Sequence, residues 1–174
     1  MSRRGADHQR HGSYSWDLSG KVDRYKAEPG RGKIVKEDED LYAIFDSFII
    51  CKFTRAIWEG PYDEIAKIYS LVTGIPMTAE DLRRAGERMN NLARLFNIRE
   101  GLTRKDDTLP YRIMHDPIPE GVSKGSHVTQ EELDLMLDAY YEARGWSREG
   151  VPGLAKLTEL GLTEYASIVE GGAR

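Results

Sequence analysis

Two side chains conflict with the pattern around them. Asp46 falls between Phe45 and Phe48, where Phe45, Ile49, Ile50 and Phe53 recur as a core-facing series. A carboxylate on such a face costs several kcal/mol unless a pKa shift neutralises it or hydrogen-bond donors hold it. Either Asp46 lies at a helix edge, paired with Arg or Lys or capping a second helical segment from Ser47, or its oxygens accept N–H groups of a buried heterocycle. Five residues on stands Cys51, the single cysteine of the chain. Base rates make a thiol in an apolar run a small buried hydrophobe. As a metal ligand it needs co-ligands from another polypeptide segment, since one thiolate builds neither a zinc finger nor an iron–sulfur cluster. Lys52 and Arg55 beside it could lower its pKa or face a bound anion.

Arg3, Arg4, His8, Arg10 and His11 crowd three guanidiniums and two imidazoles around Asp7 in one short segment. Such a cluster suits anion contacts or a proton donor at a cavity, and it equally suits a solvated basic terminus. His115 and His127 have no metal-ligand spacing and read as surface residues. The stretch Asn97 to Pro110 alternates charge signs densely, and pairs such as Arg99 or Arg104 with Asp106 or Asp107 would rigidify it. The chain has no glycine-rich phosphate loop, nucleophile elbow or paired-His zinc motif.

The elements that must position these groups read as helices. Residues 1–32 show no sustained period and form an irregular segment. From Lys33 to about Glu59 the apolar spacing is helical, with Glu37, Asp38, Glu39 and Asp40 as an acidic start that suits the positive end of the helix dipole. Gly60-Pro61 stops that helix and opens another to Thr73, closed by Gly74. Thr78 with Asp81 caps a third, running to about Ile98, and Thr129 with Glu132 a fourth that ends at Gly145. Arg99 to Val128, rich in Pro and Gly, reads as one long ordered loop. A short helix from Pro152 to Leu160 and a last turn or two around Glu164 to Val169 complete the chain. No strand alternation is present, so the fold class is all-α, with an irregular N-terminal segment, about five helices and one long loop.

Composition bounds these readings. The 174 residues make one domain, and 40% hydrophobic with 31% charged residues supply a normal core. One cysteine excludes an internal disulfide. The longest apolar run, Ala43 to Phe53, is interrupted and far shorter than the roughly 20 residues of a membrane span. No apolar leader follows Met1, so the expectation is a cytoplasmic protein with no membrane contact. A net charge of −4 argues against a general nucleic-acid binder.

Four stretches, in this order, resemble the C-terminal domain of the tungsten-containing aldehyde ferredoxin oxidoreductases: Arg4-Gly5-Ala6-Asp7-His8, Asp46 to Phe53, Asn97 to Pro110, and Tyr140 to Trp146. The string Asn-x-Arg-Glu-Gly-x-Thr-Arg-x-Asp-Asp-x-Leu-Pro and the later Tyr-Tyr-x-x-Arg-Gly-Trp are its most specific parts. In that family an Asp-x-x-Gly-Leu-Cys motif holds a pterin of the tungsten bis-pterin cofactor through its Asp and adjacent backbone, and its Cys is the fourth ligand of a [4Fe–4S] cluster. The resemblance therefore implies Asp46, Ile50 and Cys51 as cofactor-binding residues, Cys51 as a metal ligand, and His8 as a catalytic proton donor in the substrate cavity. Ile49 stands where the motif has Gly, and Ile50 where it has Leu. The implied reaction oxidises an aldehyde with water to a carboxylic acid and passes electrons singly to ferredoxin. The family's Cys-x-x-Cys-x-x-x-Cys motif and N-terminal pterin-binding part are absent from residues 1–174. The expectation is thus a fragment or split-gene product that needs the N-terminal portion as partner and is inactive alone; a homodimer is left open. Two alternatives stand beside it: a subunit of a related low-potential, aromatic ring-reducing enzyme, and a non-catalytic helical scaffold or partner-binding module.

Overall fold

The structure, a computed structural model, describes Asp7 and residues 9–171. Its described residues contain α-helices and 3-10 turns and no strand, with only an isolated bridge between Trp146 and Pro152. The α-helices are α1 (Tyr14–Leu18), α2 (Gly30–Ser47), α3 (Pro61–Thr73), α4 (Ala79–Arg99), α5 (Tyr111–His115), α6 (Gln130–Arg144), α7 (Leu154–Glu159) and α8 (Ala166–Gly171). The all-α reading holds, with the fold divided into more and shorter helices than the apolar periodicity implies.

The helix signals that reach only a few residues are realised. Both capping boxes close: Thr78 Oγ1 accepts the Asp81 amide while Asp81 accepts the Thr78 amide, and Thr129 and Glu132 exchange the same pair of bonds. Pro61 opens α3, while Gly74 and Gly145 close α3 and α6 at φ 73° and 69°. The expected loop Arg99 to Val128 departs from the reading, since it contains a 3-10 turn, Arg104–Asp106, and the helix α5. The N-terminal stretch also departs, carrying α1 and the first turn of α2.

Helix α2 is the axis of the domain and packs against α6 and α4. Two glycines set those approaches. A Cβ at Gly32 would stand 2.4 Å from the Tyr140 amide nitrogen of α6, and one at Gly86 would stand 2.5 Å from the Asp40 carbonyl of α2. Ile44, Phe45, Tyr62, Ile65, Ala66 and Leu82 fill the space between α2, α3 and α4. Met114, Leu133, Leu137 and Tyr141 form a second cluster, and Leu95, Leu157, Leu160 and Leu162 a third.

The acidic run on α2 is not a helix start. Glu39 and Asp40 lie well inside α2 and are 3% exposed, because Arg144 of α6 meets both across the helix interface and Lys36 of α2 pairs with Asp40 at 3.0 Å. Arg144 reaches Glu39 at 2.8 Å and Asp40 at 2.5 Å, the Tyr140 hydroxyl donates to Glu39 at 2.5 Å, and the Asn90 amide donates to Asp40 at 2.7 Å. Burial raises the Tyr140 hydroxyl pKa well above its ordinary value, so it remains a proton donor to Glu39.

Candidate functional site

The expected helix from Lys33 to Glu59 ends at Ser47, and the way it ends builds the candidate site. The Ile50 amide donates to the Phe45 carbonyl at 2.8 Å, and the Ile49 amide donates to the Asp46 carbonyl at 3.2 Å. These are the two reverse bonds of a Schellman motif, whose turn residue must be left-handed. That residue is Ile49, at φ 57°, the one described non-glycine residue with positive φ. A β-branched residue is a poor occupant of this conformation, and Ile49 is 93% exposed, so no packing explains its presence. Ile50 follows with its side chain against the Ile44–Phe45 core cluster. Cys51 then caps a 3-10 turn, Lys52–Ile57, with an extended backbone.

The turn redirects the apolar series. Phe53, expected in the core, is 81% exposed, and Ile57 at the end of the 3-10 turn is 73% exposed. Cys51 is exposed as well, in contrast to the buried hydrophobe that base rates favour. Among the described residues no group of three or more His, Cys, Asp and Glu is placed to hold a metal ion. A metal bound at Cys51 therefore takes its other ligands from outside them.

Asp46 sits at the helix edge, as one of its two open arrangements has it, and its carboxylate meets cations. Lys52 Nζ lies 2.6 Å from its Oδ1, and Arg10 donates to its Oδ2 at 2.5 Å. Asp46 is 34% exposed at the side chain, which leaves it reachable from outside the domain. Lys52 also donates to the Gln9 carbonyl and lies over the Tyr42 ring at 5.5 Å from its centroid. Arg10 in turn donates through Nε to Asp7 at 3.0 Å. The segment around position 8 and the segment 46–52 are thus brought together by Arg10 and Lys52. His8 itself lies outside the described residues.

Lys52 and Arg10 are the residues that sequence reading undervalued. Lys52 was legible only as a neighbour of Cys51, yet its side chain turns to Asp46, Gln9 and Tyr42. Arg55 beside it donates to the Lys52 carbonyl at 3.1 Å. One further anchor fastens the N-terminal segment to α2: the Gly12 amide donates to Asp38, whose carboxyl burial pushes above the usual carboxylate range despite that bond.

The other candidates go elsewhere. His11 contacts the Ser13 hydroxyl at 2.8 Å, while His115 is exposed and stacks on Tyr111 with ring centroids 4.0 Å apart. His127 lines an open groove of about 880 Å³ with Tyr25, Arg31, Arg112 and Glu132, a groove to which Asp46, Ile50 and Cys51 do not contribute. The charged stretch after α4 is rigid through partners other than those expected. Asp107 is held by Arg94 at 2.7 Å and accepts the Tyr141 hydroxyl, Arg104 reaches Asp138 and Asp134 on α6 at 2.5 and 3.1 Å, and Asp106 closes a capping box with Thr103. With Trp146 Nε1 donating to Asn91 at 2.7 Å, the two specific sequence strings serve to lock α4, α6 and the intervening loop together.

The chain as a whole is similar to known proteins. Residues 1–162 match the family model described as aldehyde ferredoxin oxidoreductase, domains 2 and 3. The tungsten-containing aldehyde ferredoxin oxidoreductase of Pyrococcus furiosus is 35% identical over 168 residues, covering 94% of this chain and 27% of its own length. The protein of the same description from Pyrococcus abyssi is 38% identical over 146 residues, covering 83% of this chain and 23% of its own. Among solved structures, the active site complex BamBC of benzoyl coenzyme A reductase, in complex with 1,5-dienoyl-CoA, superposes with a TM-score of 0.66 at 26% identity, covering 86% of this chain and 22% of that one. The chain thus spans about a quarter of the length of the relatives it matches.

Proposed function

From the premise that this chain belongs to the aldehyde ferredoxin oxidoreductase family, we propose that residues 1–174 act as the C-terminal helical domain of a tungsten–pterin, iron–sulfur oxidoreductase. The proposed reaction converts an aldehyde to a carboxylic acid, with ferredoxin as electron acceptor. The observation that carries the reading is the turn at Asp46 to Cys51. It keeps the left-handed residue that the glycine of the family's motif suits, although Ile49 occupies that place.

The donor set fits the cofactors. An exposed thiolate is a soft ligand suited to iron, and Cys51 stands at the surface beside exposed Phe53 and Ile57, where the N-terminal portion of the enzyme would bring the remaining cluster ligands and cover the apolar face. Asp46 is a reachable carboxylate, the acceptor that pterin N–H groups require. When bound, the tungsten–pterin group supplies the two-electron redox chemistry and the cluster passes electrons onward singly. This chain's share is placement. The Schellman turn fixes Asp46 on one side of a tight loop and Cys51 on the other, and the Ile50 side chain anchors that loop to the core. His8 is the proposed proton donor of the substrate cavity.

The test is Cys51→Ala in the complete enzyme, with iron content and the cluster's EPR signal as readouts. Loss of cluster iron or a grossly changed signal is expected, and unchanged iron with an unchanged signal would sink the assignment. The likeness to the benzoyl coenzyme A reductase complex favours a second reading, in which the same domain serves a low-potential aromatic ring reductase. Substrate profiling with aldehydes and aromatic thioesters separates the two.

A further inference from the structure

The Lys52 ammonium makes three kinds of contact at once, between the N-terminal segment and the end of α2. It has three N–H donors. They face three different partners: the Asp46 carboxylate on α2, the Gln9 carbonyl of the N-terminal segment, and the face of Tyr42. The side chain is 11% exposed, so these contacts are partly shielded from water and salt. Arg10 closes a ring on the far side of the same carboxylate, joining Asp46 to Asp7. The two residues flanking position 8 are therefore both tied in. Asp7 is held through Arg10, and Gln9 is held through Lys52.

We propose that Lys52 is a positioning residue that latches the backbone on either side of His8 to the Asp46–Cys51 loop, so that the substrate-cavity segment and the cofactor loop keep one fixed register. The proposal rests on the reading of function given above for what the two segments do, and on geometry alone for the latch. Gln9 is held at both backbone groups, its carbonyl accepting from the Lys52 ammonium and its amide donating to Asp7 at 3.2 Å. Arginine keeps the charge and donors to the same partners in a larger planar fork, whereas methionine keeps the length and neither charge nor donor.

Two variants test it, Lys52→Met and Lys52→Arg. On the 174-residue chain, the Gln9 and Arg10 amides, both bonded to Asp7, should exchange roughly tenfold faster or more in Lys52→Met by NMR, since loss of the charge-assisted bond to the Gln9 carbonyl lets the segment open as a unit. Gly12, held separately by Asp38, should exchange as before, as should the α2 and α4 amides. Lys52→Arg, which keeps the charge and the donors, should restore part of the protection. Unchanged exchange at Gln9 and Arg10, or acceleration spread evenly over the chain, overturns the latch. In the complete enzyme Lys52→Met should lower kcat with iron and tungsten content unchanged and with KM little altered. Accelerated exchange with kcat intact overturns the positioning role. An enzyme lacking iron and tungsten with Lys52 in place counts instead against the reading of function, and the exchange result on the chain still decides the latch.

Discussion

The Arg144 guanidinium lies 2.5 Å from the Asp40 carboxylate, with the first side chain fully buried and the second 5% exposed. Glu39, 2.8 Å from the same guanidinium, makes the group a buried triad at the crossing of α2 and α6. Such ions are expensive to desolvate, and their attraction repays the cost only while all partners are present.

Arg144→Met should therefore destabilise the chain by about 3–5 kcal/mol, because Glu39 would be left without a cation in the core and Asp40 would keep only Lys36, 3.0 Å away. Urea unfolding followed by circular dichroism measures it. A loss below about 1 kcal/mol would mean that water or a neighbouring cation substitutes for the guanidinium. Replacing the triad together, as Glu39→Leu with Asp40→Asn and Arg144→Met, should recover a large part of the loss, since no unpaired charge then remains.

Ile49→Gly should stabilise the chain by about 1 kcal/mol. Left-handed backbone costs a β-branched residue more than the extra freedom that glycine gives the unfolded chain. Ile49 is almost wholly exposed, so little packing is lost in exchange. Equilibrium unfolding is again the measurement. Ile49→Val, which keeps the branching, should show no gain, and a gain there would point to surface hydrophobicity in place of backbone strain.

These two sites also show what was legible in the sequence. The capping boxes at Thr78 and Thr129 were readable because each is closed within three residues by groups whose types announce the bond. The role of Glu39 and Asp40 was not, because the cation they share, Arg144, stands more than a hundred residues away in sequence, and only Asp40 has a second one, Lys36, on its own helix. The break after Ser47 was hidden for a different reason. Apolar spacing at Ile49, Ile50 and Phe53 continues a helical period, and periodicity cannot register one left-handed residue, least of all when isoleucine occupies the place that would announce the turn as glycine. Asp46 and Cys51 stand out in the sequence by residue type alone. The partners of Asp46, Arg10 and Lys52, required the fold.

Acid should weaken the junction of α2, α4 and α7 through Glu87. Burial pushes its carboxyl up, but Lys156 at 3.0 Å and Lys36 at 3.3 Å outweigh that effect and hold it below the ordinary carboxylate range. A group whose pKa is lower folded than unfolded contributes stability above the unfolded value and loses it as pH falls through the folded one. Stability measured from neutral pH downward should therefore drop across the acidic carboxylate range, and Glu87→Gln should flatten that drop while lowering stability at neutral pH. An unchanged acid slope in Glu87→Gln would assign the acid sensitivity to other carboxylates.

Asp46→Asn separates structural from functional importance at the cofactor loop. The carboxylate is about a third exposed, and the ion pairs it makes with Arg10 and Lys52 are of the kind that contribute at most about 1 kcal/mol. The turn itself does not depend on the side chain, because its reverse bonds run between backbone groups of Phe45, Asp46, Ile49 and Ile50. The variant chain should accordingly fold with a stability within about 1 kcal/mol of the parent. The complete enzyme should nonetheless retain less tungsten, since an amide offers one acceptor oxygen where the carboxylate offers two, and its NH2 group would oppose a pterin N–H. Tungsten per polypeptide, measured beside iron, is the deciding quantity. Tungsten lost with iron retained fits a pterin contact at Asp46, whereas both lost together would mean that the substitution disturbs the loop as a whole, and tungsten fully retained would remove Asp46 from the cofactor site.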